Sequence, residues 1–129
     1  MSNPERSSEP LRVLLVDDEP LVLDLLEEAL TVRGFEVTTA AAGAEALRLG
    51  KERPPDVVLS DTNMPGMDGV ELLAAFRAEP ALAGVPFFLM SGNPDEEQRA
   101  LAAGVAGFFH KPIKGGEHLA SALRRACNR

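Results

Sequence analysis

The sequence contains no tryptophan and no tyrosine, and its single cysteine is Cys127. One cysteine cannot form a disulfide within the chain, so the composition gives no sign of an oxidising compartment. A reducing cytoplasm is therefore the location that we expect. The lack of tryptophan also means that intrinsic tryptophan fluorescence cannot report ligand binding in this protein.

Long apolar segments are missing as well. Residues 1–10 are polar and resemble neither a signal peptide nor a membrane span, so we expect no membrane association. The length of 129 residues suits one domain with one core. We interpret residues 1–10 as a flexible N-terminal leader and residues 11–129 as the domain.

Positive charge is scarce, because 13 Lys and Arg face 20 Asp and Glu, which gives a formal net charge of −7. This acidic balance disfavours a partner with a phosphate backbone, and we expect no direct binding to nucleic acid. Hydrophobic residues make up 45% of the chain and charged residues 26%, which is typical of a soluble globular domain.

From Leu11 onward, short apolar runs alternate with longer helical patterns, which predicts βαβ units on a parallel sheet. The predicted strands are 11–16, 35–39, 56–60, 85–90 and 105–110. Helices are predicted from Pro20 to the stop at Gly34, and at 43–51, 70–77, 94–103 and around 119–126. The fold class is therefore α/β, a doubly wound five-stranded parallel sheet flanked by five helices.

Ligands of open parallel sheets bind beyond the carboxyl ends of the strands, so the residues that end the predicted strands are the candidate site. They are Asp17, Asp18, Asp61, Ser91 and Lys111. Neighbouring carboxylates repel one another unless a cation lies between them, and Mg²⁺ prefers oxygen ligands. Asp61 is also a nucleophile that can form an acyl phosphate, while Lys111 and Ser91 can hold phosphoryl oxygens.

Each of these residues also has an ordinary structural interpretation. Asp18 can cap the next helix, Asp61 and Ser91 can form turns, and Lys111 can be a solvated strand end. Taken singly, each ordinary interpretation is the better one. Taken together, the pattern favours a functional site, because chance seldom places these residue types at successive strand ends.

Four short motifs carry a resemblance to the response-regulator receiver (CheY-like) family. They are VDDEP at 16–20, DTNMPGMDG at 61–69, Ser91-Gly92 and Lys111-Pro112. The match covers roughly residues 11–126, and the motifs are specific in combination. The resemblance implies a flavodoxin-like sheet with strand order 2-1-3-4-5.

The same resemblance implies that Asp61 accepts a phosphoryl group from a phosphohistidine of a sensor histidine kinase or phosphotransfer protein. Ser91 and Lys111 then complete the catalytic site. It further implies that Mg²⁺ is the cofactor, and that its ligands are Asp17, Asp18, Asp61 and the backbone carbonyl of Asn63.

Two further features follow from the resemblance. Ser91 and Phe108 are expected to be the switch residues, although Phe108 stands where a Tyr is common, so its inward state lacks a phenolic hydroxyl. Simple core packing is the alternative for Phe108. The Lys111–Pro112 peptide bond is expected to be cis, with an ordinary trans turn as its alternative.

The predicted function is a phosphorylation-controlled switch whose surface binds a downstream effector protein, with a possible homodimer on phosphorylation. It is not an enzyme beyond its own phosphorylation and dephosphorylation. One alternative is a phosphate-independent interaction module of the same fold. A less favoured alternative is an aspartyl-phosphate phosphatase of the haloacid dehalogenase type. That family has an Asp-x-Asp motif, whereas Asp17 and Asp18 are adjacent in this sequence.

Overall fold

Strands and helices alternate along the whole of residues 9–127, which are the residues described by a computed structural model. The leader predicted at residues 1–10 therefore lies almost entirely outside the described residues, as do residues 128–129. None of the helices between residues 9 and 127 has both the length and the apolarity that crossing a membrane requires.

One five-stranded sheet forms the centre of the molecule. Its strands are β1 (Arg12–Val16), β2 (Glu36–Ala40), β3 (Val57–Asp61), β4 (Phe87–Ser91) and β5 (Gly107–His110). The order across the sheet is β2-β1-β3-β4-β5, and every neighbouring pair is parallel. The predicted doubly wound fold and its strand order are confirmed.

Between residues 9 and 127, five helices cover both faces of the sheet. They are α1 (Pro20–Thr31), α2 (Gly43–Glu52), α3 (Gly69–Ala78), α4 (Glu96–Ala102) and α5 (Gly116–Cys127). Buried side chains of α1 and α5 pack on one face, and those of α2, α3 and α4 pack on the other. Alternate residues of the central strands supply the two cores, which explains why their sequences are apolar almost throughout.

Several predicted ends were wrong by one or two residues. β4 begins at Phe87 instead of residue 85, because Val85 donates its N–H to Leu82 in a turn and Pro86 has no N–H for the ladder. β2 and β3 each begin one residue later than predicted, and β3 runs to Asp61 itself. β5 begins at Gly107, two residues later than predicted.

Arg77, at the end of α3, forms hydrogen bonds at the edge of the sheet where the strands begin. Its guanidinium donates hydrogen bonds to the carbonyl oxygens of Ala83 and Val85, at 3.3 and 3.1 Å, and to that of Gly104 at 3.4 Å. These carbonyls lie just before β4 and just before β5. One side chain therefore joins three elements at this edge.

At the opposite edge, the loop after β3 returns tightly against the strand. The N–H of Gly69 donates to the carbonyl of Thr62 at 2.8 Å. A β-carbon on Gly69 would lie 2.4 Å from the carbonyl oxygen of Asp61 and 2.7 Å from a methyl group of Leu89. Only glycine therefore lets α3 begin this close to the end of β3.

Candidate functional site

Three carboxylates meet where β1 and β3 end. Asp17 and Asp61 are buried, at 0% and 5% exposure, whereas Asp18 is exposed. Oxygens of the three carboxylates lie within 4.8 Å of one another. Asp17 is fixed because its backbone N–H continues the ladder to Ala40 and its Oδ1 accepts a hydrogen bond from the N–H of Glu19 at 2.9 Å. The structure thus brings the predicted acidic residues together.

The ammonium group of Lys111 reaches into this cluster from the end of β5. Its Nζ lies 2.9 Å from Oδ2 of Asp17 and 3.5 Å from Oδ1 of Asp61. The backbone N–H of Lys111 donates to the carbonyl of Ser91 at 2.8 Å, which fixes this residue beside the end of β4. The Lys111–Pro112 peptide bond is cis, the isomer that the resemblance implies.

The burial of Asp61 and the charges around it perturb its pKa. Burial and then the nearby charge of Asp17 raise this pKa to about 6, although Lys111 and the N–H of Asn63 act in the opposite direction. Burial alone would lower the pKa of Lys111, but the hydrogen bond to Asp17 and the charges of Asp61 and Asp17 outweigh it, so that this pKa is raised. Three carboxylates and one ammonium leave this cluster with a net negative charge, which favours a further cation.

Ser91 is the last residue of β4 and is buried. Its hydroxyl oxygen accepts a hydrogen bond from the backbone N–H of Asn93 at 3.0 Å, and its own hydrogen remains able to donate. Asn63 is exposed in the loop after β3. The assignment of its backbone carbonyl as a metal ligand stays a prediction.

Phe108 on β5 is half-buried and packs against the core that lies beneath α2, α3 and α4. Its ring meets that of the exposed His110 edge-on, with centroids 5.2 Å apart. Phe109 points to the other face and stacks on Phe88. Phe108 is therefore neither fully inward nor fully solvated, and its role as a switch stays a prediction.

Sequence reasoning missed one member of the site. Oε1 of Glu19 lies 3.1 Å from Nζ of Lys111, whereas Oδ1 of Asp61 lies 3.5 Å from the same nitrogen. The signal was present, because Glu19 directly follows the acidic pair at the end of the first strand. A contact between residues this far apart in the chain depends on how the sheet aligns its strand ends.

The comparisons with known proteins agree with this geometry. The family model described as the response regulator receiver domain matches residues 13–124. The chain belongs to the response regulator receiver family.

The individual relatives are longer proteins than this chain. The transcriptional regulatory protein KdpE of Mycobacterium tuberculosis is 41% identical over 119 residues, which are 91% of this chain and 51% of that protein. The transcriptional regulatory protein PrrA of Mycobacterium leprae is 42% identical over 79% of this chain and 44% of its own length. The chain therefore spans about half the length of these curated relatives.

Solved structures share the fold over most of the chain. The chemotaxis response regulator CheY4 of Vibrio cholerae has a TM-score of 0.82 and 34% identity, with 91% of this chain and 98% of that one covered. A response regulator receiver domain protein of Clostridium thermocellum has a TM-score of 0.82 and 28% identity, with 92% and 95% covered.

Proposed function

We propose that this chain is the phosphoacceptor of a two-component system, in which Asp61 takes a phosphoryl group from a phosphohistidine of a sensor histidine kinase or phosphotransfer protein. The observation that carries the proposal is the position of Asp61, whose carboxylate lies beside those of Asp17 and Asp18 and 3.5 Å from the ammonium of Lys111. Membership of the receiver family supports the same chemistry.

The transfer is a substitution at phosphorus. A carboxylate oxygen of Asp61 forms the new P–O bond while the P–N bond of the donor breaks, and the imidazole nitrogen leaves with the electron pair. With a pKa of about 6, Asp61 is mostly ionised at neutral pH and able to attack. Lys111 then donates a hydrogen bond to one phosphoryl oxygen of the acyl phosphate, and the hydroxyl of Ser91 donates to another.

The acidic cluster fits Mg²⁺ as the cofactor. Its oxygens lie within 4.8 Å of one another, comparable with the ~4 Å that separates opposite ligands around one Mg²⁺. Asp17, Asp18, Asp61 and the carbonyl of Asn63 would hold the ion. When bound, Mg²⁺ neutralises charge on the phosphoryl oxygens during transfer.

The output that we propose is a change in protein binding. Phosphorylation of Asp61 draws Ser91 toward the phosphoryl group, and the half-buried ring of Phe108 turns inward beneath α4. The surface formed by α4, β5 and α5 then binds a downstream effector or a second copy of the chain. This chain acts in the cytoplasm as a switch and catalyses only its own phosphorylation and dephosphorylation.

Intact mass spectrometry tests the proposal. The protein is incubated with Mg²⁺ and acetyl phosphate or phosphoramidate, then quenched rapidly. We expect a gain of one phosphoryl group, absent both from Asp61→Asn and from protein treated with EDTA. Failure of the wild-type protein to gain a phosphoryl group with either donor would reject the proposal and favour the phosphate-independent module.

A further inference from the structure

The ammonium of Lys111 is shared by three carboxylates and not by two. Its Nζ lies 2.9 Å from Asp17 and 3.1 Å from Glu19, both within hydrogen-bond distance, whereas Asp61 is 3.5 Å away. An ammonium has three N–H donors, and two of them are committed to Asp17 and Glu19. The contact with the proposed phosphoacceptor is therefore the weakest of the three.

Glu19 does not have the usual role of a residue at its position. It is the N-cap of α1, but its side chain accepts no hydrogen bond from the first turn of the helix. Only its backbone takes part, since its carbonyl accepts from the N–H of Leu23 and its N–H donates to Asp17. The carboxylate instead extends across the site to Lys111 and leaves 62% of the side chain exposed.

We propose that Glu19 is a positioning residue that holds the Lys111 ammonium in the unphosphorylated protein and competes with the phosphoryl group for it. The inference rests on the proposed phosphorylation of Asp61. A phosphoryl oxygen on Asp61 competes with Glu19 for Lys111, because moving the ammonium closer to the phosphoryl group draws it away from the Glu19 carboxylate. The negative charge of Glu19 also repels the incoming phosphoryl oxygens, so both effects lower the affinity of the site for a phosphoryl group.

The test uses beryllofluoride, a stable mimic of the phosphoryl group, in the presence of Mg²⁺. NMR titrations compare the wild-type protein with Glu19→Gln and Glu28→Gln. Glu28 is an exposed acid on the same helix and takes part in no ion pair among residues 9–127. Its variant has the same change of net charge without a change at Lys111.

We expect Glu19→Gln to bind beryllofluoride roughly two- to fivefold more tightly, the effect of removing one largely exposed charge contact. Glu28→Gln should bind as the wild type does. The side-chain ¹⁵N resonance of Lys111 should shift in Glu19→Gln and not in Glu28→Gln. A purely structural role for Glu19 would not produce this difference. Thermal unfolding of both variants checks that they are folded.

Suppose that the wild-type protein binds beryllofluoride and gains a phosphoryl group. Equal affinities for the two variants, or weaker binding by Glu19→Gln, would then overturn the role of Glu19, while the proposed function stands. If the wild-type protein does neither, both proposals are overturned together.

Discussion

Arg99 of α4 donates a hydrogen bond to Asp68 at the start of α3, with Nη2 and Oδ2 2.8 Å apart. Asp68 is also the N-cap of α3, and it forms a capping box with Glu71. Because Asp68 ends the loop that follows Asp61, this contact fastens α4 to the segment next to the proposed phosphoacceptor. Arg99 therefore links the site to a helix of the proposed effector surface.

We predict that Arg99→Gln lowers the free energy of unfolding by about 0.5–1 kcal/mol, since the contact is largely exposed. Burial opposes the shift, but the hydrogen bonds from Arg99 and from the N–H of Glu71 lower the pKa of Asp68. The stabilisation is therefore present at neutral pH and is lost as the pH falls through this lowered pKa. Urea unfolding at neutral and acidic pH measures both effects.

A double-mutant cycle with Asp68→Asn is the control for this contact. The two substitutions should not be additive, because either one alone removes the same ion pair. Additive effects would show that the Arg99–Asp68 contact contributes no coupling energy to stability.

The raised pKa of Asp61 predicts that the free energy of unfolding decreases as the pH rises. In the folded protein Asp61 binds a proton up to about pH 6, against an ordinary value of 3.8, so its contribution is present below 3.8 and is lost as the pH rises through about 6. Without Mg²⁺ and at neutral pH, Asp61→Asn should be more stable than the wild type by about 1–3 kcal/mol. Denaturant unfolding in EDTA across this pH range measures the difference.

Mg²⁺ provides the matching control. The ion should raise the melting temperature of the wild-type protein and have a smaller effect on Asp61→Asn, because one proposed ligand is gone. Equal stabilisation of the two proteins by Mg²⁺ would argue against Asp61 as a metal ligand.

The tight return of the chain at Gly69 predicts a cost for any side chain there. Gly69→Ala should destabilise the protein by about 1–3 kcal/mol, because the new methyl group meets the backbone of Asp61 and the side chain of Leu89. Gly84 is the matched control, since a β-carbon there meets nothing within 4 Å. Thermal unfolding of both variants checks the prediction, and equal losses would contradict it.

Arg77 predicts a further effect at the other edge of the sheet. Arg77→Lys keeps the charge but cannot span the three carbonyls of Ala83, Val85 and Gly104, so stability should fall by about 1 kcal/mol. Amide hydrogen exchange should quicken at Ala106, which pairs with Phe87 beside this contact. Unchanged exchange at Ala106 would mean that the contact does not hold this edge.

The fold could be predicted because the chain repeats one signal, an apolar strand followed by an amphipathic helix. Asp17, Asp61, Ser91 and Lys111 could be placed together because all parallel strands end at one edge. Competition between the start of a helix and a local side-chain hydrogen bond was harder to predict. Pro94 predicted a helix start, but the side chain of Asn93 accepts from the N–H of Asp95, and the regular helix begins only at Glu96.

The contacts of Glu19 with Lys111 and of Arg99 with Asp68 could not be predicted from spacing. The first contact joins residues that are 92 apart in the chain and the second joins residues that are 31 apart, and each includes at least one long side chain. Such side chains have several rotamers, and the choice among them depends on the finished arrangement of the strand ends and helix starts.

The hydrogen bonds of Arg77 lie at one edge of the sheet only. They hold the starts of β4 and β5, whereas Ser91, Phe108 and Lys111 lie toward the other ends of the same strands. A rearrangement of α4 and β5 would therefore rotate about the anchored edge, with a displacement that grows along the strands. Contacts made by an effector near His110 would sense the largest amplitude, and contacts near Gly104 would sense almost none.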